Sequence, residues 1–355
     1  MKKTIAITSA LAAASSLATA EIKINEFLSF AGFVDSSYSH TNIDDGGSEN
    51  SFAVDQVEID WMFNFGKVTG QVDLEYLGGT TGDDTTNVEQ AFVSYDLGNG
   101  LSVTAGKYES TLGLEAKEPT GLYQYSTAYN VGETNDGDGG LGGLDILPQY
   151  AQGVKLTKVS GDNVFSLSVQ DESFDNDGGR LGGDDAAPSD SSYAIEGSAS
   201  LAVGDGMTLF LGGAYEDSDT DENNTYVLNG HLSGGSGALI WGVEVNYGDA
   251  EGGFTNGLGR SSVDATDEQV TQALVMANYA YSDCCSVTGR ISYSDHEATD
   301  AGGDIDADFL KYTLAHNYAV TDNLAVITEV SLVDGELDGG DYEALVGAVE
   351  VLFTF

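Results

Sequence analysis

Residues 57–76 read VEIDWMFNFGKVTGQVDLEY, a stretch that faces two different solvents at once. Val57, Ile59, Trp61, Phe63 and Phe65 alternate with Glu58, Asp60, Met62 and Asn64. After Gly66-Lys67, Val68, Val72, Leu74 and Tyr76 alternate with Thr69, Gln71, Asp73 and Glu75. A period of two sends successive side chains to opposite faces of a strand, so this is a hairpin with one apolar and one acidic face. Burying unpaired carboxylates in a solid core would cost several kcal/mol each. Lipid against the apolar face and water against the polar face removes that cost. In lipid every backbone N–H and C=O must be paired, so such a sheet has to close on itself.

The same alternation recurs along the chain, as in Phe165/Leu167/Val169, Leu209/Leu211/Tyr215, Trp241/Val243/Val245/Tyr247, Ile291/Tyr293 and Leu310/Tyr312/Leu314. Sixteen strands are expected. They fall near 26–38, 52–65, 68–77, 88–97, 101–108, 150–158, 164–171, 192–202, 207–216, 225–233, 239–248, 270–281, 287–295, 308–318, 324–333 and 342–355. Connections at one end are short, such as Gly66-Lys67, Gly98-Asn99-Gly100 and Thr321-Asp322-Asn323. Those at the other are longer and acidic: His40 to Ser51, Gly78 to Asn87, Glu172 to Ser191, Asp249 to Gln269 and Asp295 to Asp306. The expected fold is therefore all-β: a transmembrane antiparallel β-barrel with short periplasmic turns and long acidic extracellular loops. A closed sheet of that many strands is too wide for side chains to fill and encloses water. Tyr38, Tyr76, Tyr95, Tyr215, Tyr247, Tyr293 and Trp61 sit near strand ends, where interfacial aromatic girdles form.

The ends of the chain agree with this. Lys2 and Lys3, the apolar run Ile5 to Leu17 and Ala18-Thr19-Ala20 form a signal peptide over 1–20, leaving a single barrel over 21–355. The last strand places Val349, Val351, Phe353 and Phe355 on one face, and a terminal Phe on such a strand resembles the signal for outer-membrane insertion. Phe353 and Phe355 are thus the candidate insertion signal, read by the barrel-assembly machinery. Pro119, Pro148 and Pro188, the only three prolines, all lie outside the alternating stretches.

Charge narrows the partners. The chain carries 58 acidic against 12 basic side chains, a formal net charge of −46. Loss of Lys2 and Lys3 with the leader makes the mature chain more acidic still. Nucleic acid and bare anionic lipid need a basic face and are excluded; cations and a saline exterior fit. Cys284 and Cys285 are adjacent, a spacing that strains a disulfide, and no further Cys accompanies them. No catalytic residues are assigned. The four His are scattered, no G-x-S-x-G is present, and His296 between Asp295 and Glu297 is the one local carboxylate–His grouping. Asp136-Gly137-Asp138-Gly139 and Asp175-Asn176-Asp177-Gly178 lack the closing Glu of a Ca²⁺ loop. No cofactor and no metal site is assigned beyond weak divalent-cation binding by such loops.

The longest connection, 107–149 after the fifth strand, is too long to be idle, and is expected to fold into the lumen as a constriction. It brings Lys107, Glu109, Glu115 and Glu118. On the polar parity of the walls lie Glu58, Asp60, Asp73, Glu75 and Glu244, with the sparse bases Lys155, Arg290 and Lys311. An acidic loop facing basic wall residues would set a field across the pore, and the excess of acids predicts cation preference. Within and beside this loop, Gly106-Lys107-Tyr108, Thr111, Gly113-Leu114-Glu115, Pro119, Tyr125-Ser126-Thr127 and the later Gly153-Val154 resemble the pattern of the β-barrel porin-2, or OmpL-like, family. The resemblance implies an outer-membrane porin whose barrel is nearly the whole mature chain.

The expected function is a water-filled channel in the outer membrane for passive diffusion of small hydrophilic solutes and cations, with outer-membrane lipid around it. Analogy with porins of this size adds a homotrimer. Two other readings stay open. One is a channel specific for a sugar or oligopeptide, with Tyr108, Tyr123, Tyr125 and Tyr129 as a slide; the other is a plugged structural or adhesive barrel. Conductance in planar bilayers separates the three. Mass spectrometry of the protein extracted from membranes is expected to give an N-terminus at Glu21; an intact residue 1 would refute cleavage.

Overall fold

Every alternating stretch pairs with its neighbour in sequence, and the last pairs with the first. The structure is a computed structural model that describes residues 21–44, 46–77, 85–132, 143–174, 193–204, 206–218, 223–254, 267–300 and 303–355. The expected signal peptide lies outside them. The strands are β1 (Ile22–Lys23), β2 (Leu28–Ile43), β3 (Ser48–Asn64), β4 (Val68–Leu77), β5 (Thr85–Gly98), β6 (Leu101–Glu109), β7 (Tyr150–Ser160), β8 (Asn163–Gln170) and β9 (Tyr193–Gly204). They continue as β10 (Met207–Ser218), β11 (Asn223–Ser236), β12 (Leu239–Glu251), β13 (Asp267–Ser282), β14 (Cys285–Asp300), β15 (Gly303–Thr321), β16 (Leu324–Leu337) and β17 (Gly340–Thr354). Strands β2 to β17 form a closed sixteen-stranded antiparallel barrel, sealed where β17 pairs with β2 from Ala344↔Ile43 to Thr354↔Phe33. The two residues of β1 add to β2 at Phe30 and Ser29.

The two faces behave as two solvents require. On β12, Val243 and Val245 are 42% and 52% exposed on the outside, while Glu244 and Asn246 between and beyond them are 2% and 0% exposed inside. Tyr38, Tyr95, Tyr215 and Tyr293 of the expected girdles are exposed, and Tyr279, Tyr281 and Tyr318 join them. No described helix is long and apolar enough to cross a membrane.

Two of the expected long loops are mostly strand. β2 and β3 continue through His40 to Ser51 until only 44–47 connects them, and β14 and β15 continue through Asp295 to Asp306 until only 301–302 is left. β16 and β17 likewise end in a two-residue turn, Asp338-Gly339, with φ of 50° and 74°. Both central residues at positive φ match the right-handed twist of a hairpin. The alternation fades in these regions because the outward face turns polar, with Asn42 and Asn50 on one hairpin and Asp295, Glu297, Asp304 and Asp306 on the other, yet the backbone ladder continues.

One glycine sits at the tight end of this seam. Gly32 and Phe355 exchange two backbone hydrogen bonds, each of 2.9 Å. A Cβ on Gly32 would stand 2.3 Å from the Glu58 carbonyl oxygen and 2.8 Å from the Phe355 ring. Phe353 points outward and is 43% exposed, while the Phe355 ring packs 6.3 Å from Phe30. Gly32→Val is expected to cost about 3 kcal/mol by overpacking the seam. The folded band in heat-modifiability gels should weaken accordingly; an unchanged band would show that the seam tolerates bulk.

Candidate functional site

The connection between β6 and β7 runs inward and lies across the lumen. Its described parts are residues 110–132 and 143–149. Some of the inner positions of β10 to β17 that it meets are apolar, and there the contact forms small hydrophobic clusters inside the barrel. Leu112, Ile146 and Leu147 pack with Phe210, Val227 and Val270. Leu114, Tyr123 and Tyr129 pack with Leu274 and Met276. Val131 and Leu144 pack with Phe309, Val333 and Tyr342.

An irregular backbone at this depth must have its polar groups paired, and wall side chains supply the partners. Carboxylates accept from loop N–H groups: Glu196 from Thr111 at 2.9 Å, Glu244 from Leu114 at 2.6 Å, Glu329 from Ser126 at 3.0 Å. Donors meet loop carbonyls: Ser292 at Ala128 (2.6 Å), Thr288 and Asn317 at Tyr123 (2.8 and 2.7 Å), Gln272 at Leu144 (2.6 Å), and the Tyr342 hydroxyl at Val131 (3.1 Å).

This arrangement corrects the expected field between an acidic loop and basic walls. Arg290 and Lys311 do point inward, but both are buried under the loop. Arg290 pairs with Glu115 of the loop at 2.6 Å and donates to the Thr127 carbonyl at 2.9 Å. Lys311 donates to the Ser126 hydroxyl and to the Thr127 and Asn130 carbonyls at 2.7, 3.0 and 2.7 Å. Glu244, read as a lumen acid, is likewise a loop anchor. The strongest inward charges of β12, β14 and β15 are therefore consumed in holding the loop.

Free charge gathers on the opposite wall. Glu58 and Asp60 on β3 stand across from Glu75 and Asp73 on β4. Gln56 on β3 donates to Glu75 and to the loop's Glu118, both at 3.0 Å, and Tyr150 donates to Glu118 at 2.7 Å. Asp60, Glu75 and Glu118 remain partly exposed. Lys107 reaches the Val88 carbonyl at 3.3 Å. Lys155 lies 4.2 Å above the Tyr108 ring and donates to the Glu109 carbonyl at 3.2 Å. The Glu109 side chain itself is exposed. The acidic wall also holds Glu89, which lies on the apolar parity of its stretch. The β4–β5 register shifts between Asp73 and Leu74, so that Gln90 and Val88 are paired and Glu89 is not. A bulge of this kind re-aims a side chain, and nothing in the sequence marks it.

The proposed aromatic slide is not on offer. Tyr108, Tyr123 and Tyr129 are buried between loop and wall, and the Tyr125 hydroxyl is engaged by Ser37 at 3.1 Å. Burial pushes the Tyr123 and Tyr125 phenols up to about 12, so both stay neutral. His296 does not use its sequence neighbours. Its ring bridges Ser294 (2.6 Å) and Glu268 (3.0 Å). The order is that of a hydrolytic relay, but all three side chains are at most 2% exposed, and the other Glu268 oxygen accepts from the Phe254 N–H at 3.0 Å. It ties the connection after β12 to the wall. Cys284 and Cys285 are unbridged, their Sγ atoms 3.2 Å apart in the β13–β14 turn. The acid-rich stretches 136–139 and 175–178 lie outside the described residues.

The family model described as Putative beta-barrel porin-2, OmpL-like matches residues 28–355. Among solved structures the fold is similar to that of the outer membrane channel DcaP of Acinetobacter baumannii. The TM-score is 0.64 at 12% identity, covering 92% of this chain and 97% of that one. Outer-membrane expressed OmpT of Vibrio cholerae follows at TM-score 0.61 and 13% identity, covering 94% and 100%. Salmonella typhi OmpF, solved in complex with daunomycin, gives 0.60 at 15% identity, covering 94% and 100%. No curated protein matches the sequence.

Breaking a buried ion pair from one side leaves the other charge uncompensated, at a cost of about 3–5 kcal/mol. Arg290→Met is therefore expected to loosen the loop while the barrel stays folded. Lys117 is the only Lys or Arg within 110–149, so trypsin cleavage after it, read by mass spectrometry, reports the loosening. Equal protection in wild type and variant would remove Arg290 from the anchor.

Proposed function

The chain belongs to the β-barrel porin-2, OmpL-like family, and from that premise we propose that this outer-membrane channel passes small hydrophilic solutes by passive diffusion with a preference for cations. One observation carries the preference. The inward bases Arg290 and Lys311 are buried against the loop, whereas Asp60, Glu75 and Glu118 stay partly exposed in the lumen. A ring of carboxylates attracts cations and repels anions. Lys107, Lys117 and Lys155 moderate this field without outweighing it.

Burial of the loop tyrosines speaks against a stacking slide for sugars, so the general channel is favoured over the specific one. The hydrophobic packing of the loop is the observation that favours a narrow pore, and its extreme is the plugged barrel; conductance of the purified protein decides. The chain end, β17 with its Phe353 and the following Phe355, is the segment we assign to the assembly machinery. A homotrimer is the proposed assembly, since Vibrio cholerae OmpT, similar in fold, has been solved in a trimer form; mass determination in detergent tests it.

At 4 Å one charge is worth about 1 kcal/mol in water, roughly a fivefold change in local ion concentration. In a KCl gradient the wild-type reversal potential is expected on the cation side. Asp60→Asn with Glu75→Gln should lower the cation-to-anion permeability ratio several-fold, and more at low salt than at high salt, as screening requires. A wild-type potential on the anion side would refute the proposal.

A further inference from the structure

We propose that the acidic wall binds a divalent cation, Ca²⁺ by its ligand chemistry, between Glu58, Asp60, Asp73, Glu89 and the loop's Glu118. Glu58, Glu89 and Glu118 each offer an oxygen, and these lie within 4.8 Å of one another. Glu58, Asp60 and Asp73 form a second such triplet, so that Glu58 joins the two. Oxygens facing each other across a Ca²⁺ ion bonded at 2.3–2.6 Å are about 5 Å apart, so a single ion can reach each triplet.

A second observation separates this cluster from an ordinary acidic patch. Asp73 is 0% exposed and Glu89 is 7% exposed. One oxygen of each, Asp73 Oδ1 and Glu89 Oε2, is buried without a hydrogen-bond partner, as is Asp60 Oδ1. A buried unpaired carboxylate oxygen is costly. The amides present already serve other oxygens: Gln71 and Gln90 both donate to Asp73 Oδ2, at 2.9 and 2.8 Å. Gln56 bridges Glu75 and Glu118 and reaches Glu58 only at 3.4 Å. Among the described residues the ion pairs are Arg290–Glu115 and His296–Glu268, so no Lys or Arg is ion-paired with the cluster. The donor set is oxygen alone, which selects a hard cation. Its carboxylates come from β3, β4, β5 and the loop, and Ca²⁺ accepts such an irregular set more readily than Mg²⁺, which demands an octahedron. The ion would clip Glu118, and with it the loop, to the wall opposite its Arg290 anchor.

The effect of this ion on conduction rests on the acidic wall lining the ion path as proposed above; binding does not. The test uses full-length mature protein in detergent, stripped with EDTA. Tb³⁺ is the probe, because the Tyr150 hydroxyl donates to Glu118 and can sensitise its luminescence. A saturable site displaced by Ca²⁺ is expected. Glu58→Gln with Glu89→Gln, and separately Asp73→Asn, should weaken it roughly tenfold or more. Asp322→Asn in a periplasmic turn should leave it unchanged. Heat modifiability confirms that each variant is folded. No saturable site, or one untouched by both wall variants, overturns the proposal and implies that protons neutralise the cluster instead. The KCl reversal potential measured in EDTA is a separate readout: it can fail while the Tb³⁺ site stands, or stand while the site fails.

Discussion

A stretch of chain without regular structure sits inside a membrane protein only if something answers its peptide groups. Here the inner wall answers them. Acids take the loop's N–H groups, while hydroxyls, amides, Arg290 and Lys311 take its carbonyls. The polar face that strand alternation demands is therefore divided in two. One part, from β9 round to β17, works as a scaffold for the loop. The other, on β3 to β5, has none of its acids in an ion pair among the described residues. What the channel does follows from that division, because only charge left over from holding the loop can act on a passing ion.

The division has an energetic logic. The loop brings apolar side chains and buries them against apolar wall positions, gaining hydrophobic stabilisation that scales with the area removed from water. Its backbone could not follow without partners, and a charged partner bonds more strongly than a neutral one. A base under the loop is useful twice, since Arg290 holds a carbonyl and cancels Glu115. An acid on β4 has no such duty. The scarcity of bases in the chain thus leaves the acidic wall uncompensated.

The barrel was legible because it is written locally. Val57 to Tyr76 carries its faces in its own alternation, and the short turns mark the strand ends of one side. The other side is less legible at 40–51 and 295–306, where polar and acidic residues on the outward face hide a ladder whose inward side chains are in part apolar. The site was legible only in part. That 107–149 enters the lumen follows from its length and place. Which charges it would engage does not follow, because the pairs join residues far apart in the chain, Glu115 with Arg290 and Ser126 with Glu329. Glu89 was missed for a different reason: a one-residue register shift flips a side chain without changing the composition around it.

The loop's anchors also set an order of events. Its partners extend from Ser37 on β2 to Tyr342 on β17, which lies 211 residues beyond Val131. Contacts this distant in sequence pay their chain-closure entropy before they return anything, and they form late. The loop cannot finish docking until the last strand arrives, because Tyr342 on β17 is one of its partners. Docking of the loop and pairing of β17 with β2, which ends at Gly32 and Phe355, are therefore coupled steps of one maturation.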